Sequence, residues 1–197
     1  MDVKRLQQRL GCTPDGILGA QTYRALFDHM ARRPLGVRGD ALAKGALNYF
    51  GRYGVTTELR LAHFMAQATH ETGDFCYMRE LWGPTPAQRG YEGRKDLGNV
   101  KPGDGRLFAG RGIFQTTGRA NYEEAEIETG LPLLTEPDLA AQPDNAVWLA
   151  CLYWQSRHLS ALADADDILA ITKKINGGTN GLLGRKSCLA RAKGVLT

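Results

Sequence analysis

The sequence predicts a mainly α-helical protein, on three observations. Apolar residues recur at intervals of three and four in most segments, and glycines and prolines fall between those segments. Strand-like alternation is confined to at most a short hairpin in one long loop. Residues 3–10, VKRLQQRL, open the chain with Val3, Leu6 and Leu10 on one face and Gly11 as the stop. A Pro14-Asp15-Gly16 turn leads into a second helix carrying Tyr23, Leu26 and Phe27. ARRPLGVRG, residues 31–39, is a linker candidate. Asp40 is placed to cap a third helix that ends at Tyr49 or Phe50, closed by Gly51 and Gly54. Thr56 or Thr57 caps the fourth, which carries Leu59, Ala62, Phe64, Met65 and Ala66 and ends near His70. From Gly83 to Gly112 the chain holds eight glycines and three prolines with little periodicity. So long an irregular segment in a compact domain is functional or disordered. Arg119–Thr129 reads as an exposed helix stopped by Gly130. Residues 144–159, with Trp148, Leu152 and Trp154, read as a central core helix, and residues 166–178 as an amphipathic helix ended by two glycines. There are no internal repeats.

The 197 residues fit one main domain with a small appendage. With 43% apolar and 23% charged residues the chain can bury a real core. No apolar run approaches the roughly 18 residues a membrane span needs. The N-terminus lacks the apolar stretch of a secretory signal, so export by that route is not expected. The cysteines Cys12, Cys76, Cys151 and Cys188 are far apart, without a CxxC pair, and are expected to be free thiols. A net charge of +4 favours anionic surfaces such as cell-wall polymers or nucleic acid and singles out neither. Aromatic and basic residues do not interleave, which argues against nucleic acid.

The stretch HFMAQATHETGDF, residues 63–75, places an ionisable carboxylate, Glu71, at the end of an apolar helix. The negative end of the macrodipole and partial burial both disfavour its ionised form. A carboxylic acid still protonated near neutrality can deliver a proton to a leaving oxygen. The plainer reading is a surface glutamate at a frayed helix end, paired with Arg79. Glycosidic cleavage needs a second carboxylate, and Asp74, Glu80, Glu92, Asp96 and Asp104 lie downstream. Continuous helix would carry Glu80 about 13 Å along the axis. A break at Gly73 lets the chain fold back, into reach of the roughly 6.5–9.5 Å separation of an inverting pair.

Three stretches in order, AHFMAQATHETGDF, FAGRGIFQTTGRANY (108–122) and TKKINGG (172–178), resemble the family 19 glycoside hydrolases over about residues 40–195. The phage and prophage endolysins of that family are the most similar. The resemblance implies a lysozyme-like helical fold, two lobes around a central cleft, and inverting cleavage of β-1,4-linked amino sugars without a metal or cofactor. It implies Glu71 as general acid, with His70 beside it. Glu80 takes the second acidic position of the endolysins, whereas the plant members' spacing points to Glu92; Glu80 is preferred. Thr117 would hold the nucleophilic water. Gln115, Asn121, Tyr122 and Asn176 would contact substrate. A hydroxyl and a carboxylate can together fix one water, and amides match N-acetyl and hydroxyl groups. Taken singly, Gln115, Asn121 and Asn176 would more often be turn or capping residues, and Tyr122 a core aromatic. Trp82 either stacks on a sugar ring or anchors the loop.

Residues 1–33 resemble a truncated peptidoglycan-binding-1 module through Leu6, Gln7, Leu10, Asp15, Gly16, Leu18, Gly19, Thr22 and Leu26, ahead of a catalytic domain at 40–197. The segment either binds wall or only packs on that domain. HETGD lacks the second histidine of HExxH, which weighs against a zinc peptidase. Cys76 and Cys151 read as core residues rather than nucleophiles. The expectation is a monomeric endolysin that cuts peptidoglycan glycan strands. It would accumulate in a bacterial cytoplasm and reach the wall through a holin, without inserting into the membrane itself. A chitinase and a non-catalytic wall-binding protein are the alternatives.

Overall fold

In the computed structural model, which describes residues 1–197, eleven α-helices and two 3-10 turns make up the regular structure. α1 (Val3–Leu10) and α2 (Ala20–Ala31) precede α3 (Val37–Tyr49) and α4 (Glu58–Glu71). The irregular segment holds only the single-turn helices α5 (Pro86–Arg89) and α6 (Asp104–Leu107), with a 3-10 turn at Lys95–Leu97 between them. α7 (Arg119–Thr129), α8 (Pro143–Ser156), α9 (Leu159–Asp164), α10 (Ile168–Asn176) and α11 (Leu182–Leu196) complete the chain.

Several ends follow from local chemistry. The Thr57 hydroxyl accepts the Arg60 N–H and starts α4; Gly130 at φ 72° stops α7; Asp167 caps α10, and Gly177 ends it. Others differ from expectation. α3 begins at Val37 behind Gly36, so the linker shrinks to residues 32–36 and Asp40 lies in the first turn, paired with Arg24. α8 stops at Ser156 because His158 adopts left-handed backbone, φ 54°. The short hairpin is reduced to isolated pairings of Arg79 with Arg111 and of Arg111 with Thr116. No helix is long and apolar enough to cross a membrane.

α4 is buried on every side from Leu61 to Thr69 and is the axis of the molecule. α11 packs along it, α2 and α9 flank it, and α3 packs against α2 and α8. The large core includes Phe27, Phe50, Phe64, Phe75, Trp154 and Ile171. It also takes in Leu6, Tyr23, Leu26 and Met30 of the N-terminal helices. Buried Gln7 ties that segment together, donating to Asp15 Oδ1 (2.7 Å), the Ile17 carbonyl (3.0 Å) and Thr22 Oγ1 (2.9 Å), and accepting from Gly16 N–H (2.8 Å). A second, smaller core of Phe108, Tyr122, Leu133, Ala140 and Leu149 lies under α7. Of the four free cysteines, Cys151 is buried as expected, whereas Cys76 is only half-buried, its sulfur 3.0 Å from Arg33 Nη2.

Candidate active site

Glu71 is the last residue of α4, and the chain reverses directly after it. Gly73, Asp74 and Phe75 take φ of 56°, 57° and 61°, three left-handed residues in succession. Two of them carry side chains and are strained, at about 1–2 kcal/mol each. The surroundings hold the turn in place. Thr72 Oγ1 donates to the Ala68 carbonyl (2.6 Å) and accepts the Phe75 N–H (2.9 Å). Phe75 is fully buried, edge-on to Phe27, and Asp74 pairs with Arg32 at 3.0 Å.

The partner of Glu71 comes from the far end of the sequence. Arg185 of α11 is 1% exposed and sets Nη2 2.5 Å from Glu71 Oε1, while Nη1 donates to the side chain of buried Gln67. Both Glu71 Oε1 and Arg185 Nε lack an aligned hydrogen-bond partner, so the contact is charge against charge. A fifth of the Glu71 side chain stays exposed, enough to reach solvent or a substrate. Arg79 pairs instead with Asp138 at 2.8 Å. His70 packs its ring against α11 and the turn before it. A Cβ at Gly181 would lie 2.2 Å from its Nε2, and one at Gly184 2.9 Å from the ring, so both positions need glycine. Burial lowers the His70 pKa, the Arg185 charge lowers it further, and the Glu71 charge opposes both.

Glu80 stands on a different footing. Its N–H donates to the Gly110 carbonyl (2.8 Å), and Gly110 N–H returns a bond to Glu80 Oε2 (3.1 Å). Gln88 Nε2 (3.0 Å) and the Tyr91 hydroxyl (3.2 Å) donate to Oε1. Gln88 is itself fixed by the capping box that starts α5. Trp82 lies 6.5 Å from the Tyr91 ring, on the loop beside Glu80.

The same backbone pairing carries Gln115 and Thr117 to Glu80. A Cβ on Gly110 would sit 2.6 Å from Gln115 Oε1, 3.2 Å from Thr117 Oγ1 and 3.3 Å from Glu80 Oε2. Three side-chain oxygens therefore gather against the bare Cα of Gly110, where a larger residue would not fit. Gln115 holds left-handed backbone, φ 53°, and its amide donates to the Gly112 carbonyl at 2.8 Å. Thr117 Oγ1 donates to the Gln115 carbonyl at 2.8 Å, and exposed Asn121 donates to the Thr117 carbonyl at 2.6 Å.

Two expected site residues are placed elsewhere. Tyr122 is fully buried in the smaller core, its hydroxyl donating to the Ala109 carbonyl (2.9 Å) and accepting from Arg111 (3.0 Å). It is a core residue and not a substrate contact, because a neighbour of exposed Asn121 on a helix points about 100° away. Glu92 accepts the N–H groups of Gly103 (2.7 Å) and Gly105 (2.9 Å), so both its oxygens are used to cap α6. Asn176 is exposed at the end of α10. No cluster of His, Cys, Asp and Glu side chains has the geometry of a metal site.

A groove of about 520 Å³ begins at Gln115, Thr117 and Asn121 and runs between α7 and the end of α8. Neither Glu71 nor Glu80 lines it; it is continuous with the site through Gln115 and Thr117.

No protein-family model matches the chain. A glycosyl hydrolase family 19 domain-containing protein from Haemophilus influenzae is 30% identical over 156 residues, covering 66% of this chain and 76% of that protein. The chain belongs to glycoside hydrolase family 19. An Arabidopsis thaliana endochitinase is 30% identical over 138 residues, 70% of this chain but 46% of its own length, so the chain spans about half of that plant relative. The crystal structure of Streptomyces griseus chitinase C superposes on 88% of this chain and 75% of its own, with a TM-score of 0.68 at 22% identity. It shares the mainly helical, lysozyme-like fold.

Arg185 is the site residue that sequence reasoning missed. Its signal was present: positions 185, 188, 189, 192, 195 and 196 form one helical stripe, and all are buried. An arginine on the core side of a helix requires a buried partner.

Proposed function

We propose that the protein is a peptidoglycan-degrading glycoside hydrolase of endolysin type that cleaves β-1,4 links between amino sugars with inversion. Glu71 donates its proton to the leaving glycosidic oxygen as that bond breaks. Water attacks the anomeric carbon from the opposite face and passes a proton to Glu80, so cleavage swaps the protonation states of the two carboxyl groups and exchange with solvent restores them. Thr117 and Gln115 hold the water and the sugar. The observation that carries this reading is the convergence of the Glu80, Thr117 and Gln115 oxygens at Gly110. A carboxylate and a hydroxyl side by side suit the activation of a single water.

Peptidoglycan is favoured as substrate by the N-terminal resemblance to a wall-binding module, whose Gln7, Asp15, Gly16 and Thr22 knit the segment together. The enzyme would act as a monomer, stored in a bacterial cytoplasm until a holin opens the route to the wall. Chitin is the second reading, because the plant relatives are endochitinases. Mass spectrometry of digested sacculi, with chitin oligomers alongside, tests both. New reducing ends from sacculi support the first reading, and products from chitin alone replace it with the second.

A further inference from the structure

The groove beyond Asn121 has a character that a neutral sugar polymer does not require. Its floor is aliphatic, from Leu97, Leu149 and Leu152, and its walls carry charges of both signs. Glu124 and Glu128 project from α7, one turn apart, and Arg157 stands at the end of α8. All three are exposed, and none takes part in an ion pair within the protein. Arg157 is nonetheless held in place. Its guanidinium lies 5.0 Å from the centre of the Tyr153 ring, and its carbonyl accepts from Lys174 Nζ at 3.2 Å.

Resting on the peptidoglycan reading above, we infer that this groove is a subsite for the stem peptide branching from the glycan strand. Such a peptide carries free carboxylates, an ammonium group and small methyl side chains. The carboxylates match Arg157, the ammonium matches the Glu124–Glu128 wall, and the methyl groups match the leucine floor. Continuity with Gln115 and Thr117 puts the groove within reach of a branch on a sugar bound at the cleavage site. Chitin has no such branch, so the groove would distinguish the two polymers.

The test uses soluble, uncross-linked peptidoglycan strands, intact or stripped of stem peptides by an amidase, with chitin oligomers as a third substrate. The wild-type kcat/KM should be about five-fold higher on intact than on stripped strands, the worth of two or three exposed ion pairs. The triple variant Glu124→Gln, Glu128→Gln, Arg157→Gln should lose that preference and match wild type on stripped strands, which also shows that it folds. Equal wild-type rates on both strands, or a variant slowed equally on both, would overturn the subsite and leave the peptidoglycan reading intact. Cleavage of chitin oligomers with neither strand touched would remove both.

Discussion

The two carboxylates of the site are held in opposite ways. Glu71 ends a rigid, fully packed helix and faces a full positive charge from Arg185, itself buried in the large core. Glu80 lies on an irregular segment and is held by neutral donors: a glutamine amide, a tyrosine hydroxyl and one backbone N–H. The difference separates stability from chemistry. An ion pair in the core couples the Glu71 site to folding, because removing one partner strands the other's charge. Three neutral hydrogen bonds on a loop set direction and distance, and losing any one of them leaves the fold standing.

The sharpest test removes the carboxylates themselves. Glu71→Gln and Glu80→Gln should each lower the rate of reducing-end release by roughly 10²- to 10⁴-fold with circular dichroism unchanged; near-normal turnover in either variant would discard its role. Gly110→Ala should come next. A methyl group 2.6 Å from Gln115 Oε1 displaces the converging oxygens, with an expected loss of about 10² in kcat and little change in Tm. Arg185→Met should invert that pattern, costing about 3 kcal/mol in a denaturant titration because Glu71 and Gln67 lose their partner. If its stability equals wild type, the coupling of the Glu71 site to folding is wrong. Gln88→Ala should cost only about 1 kcal/mol while raising the disorder of Glu80, and should show mainly in kcat.

The smallest effect is a pH dependence within the large core. His63 on α4 is fully buried, with Asp166 Oδ1 2.7 Å from its Nε2 and nothing bonded to Nδ1; Lys193 pairs with the other Asp166 oxygen. Burial lowers its pKa and outweighs the attraction of Asp166, with Lys193 adding to the lowering. The fold therefore prefers the neutral ring. That contribution is complete above the unfolded-state pKa of about 6.5 and is lost as pH falls through and below it. Asp166 is held below the usual carboxylate range by Lys193, so its own contribution is lost only at lower pH. His63→Gln should flatten the dependence of Tm on pH between about 7 and 5, while pH profiles of variants around Glu80 keep that slope.

Much of the scaffold was legible because caps and stops are local chemistry. Thr57, Gly130 and Gly177 act where a reader of the sequence would put them. The break after Glu71 was legible at Gly73, although Asp74 and Phe75 share the left-handed turn, and their conformation depends on what Phe75 and Asp74 touch. The motif around Gln115 and Thr117 falls on the segment that meets Glu80 at Gly110. Its neighbour Tyr122 did not belong to the site, since consecutive helical residues face different sides. Glu92 matched a spacing and became a helix cap.

By itself the sequence determined seven of the helices, several of their ends, the chain reversal after α4 and the family to which the motifs belong. Those are set by steric preference, hydrogen-bond capacity and periodicity within a few residues of one another. Only the tertiary structure decided that Arg185 answers Glu71 across 114 positions of chain, that Gly110 gathers three oxygens, and that Glu124, Glu128 and Arg157 share one groove. Each is a meeting of side chains from separate elements, and the burial that forces such meetings exists only once the whole core has closed.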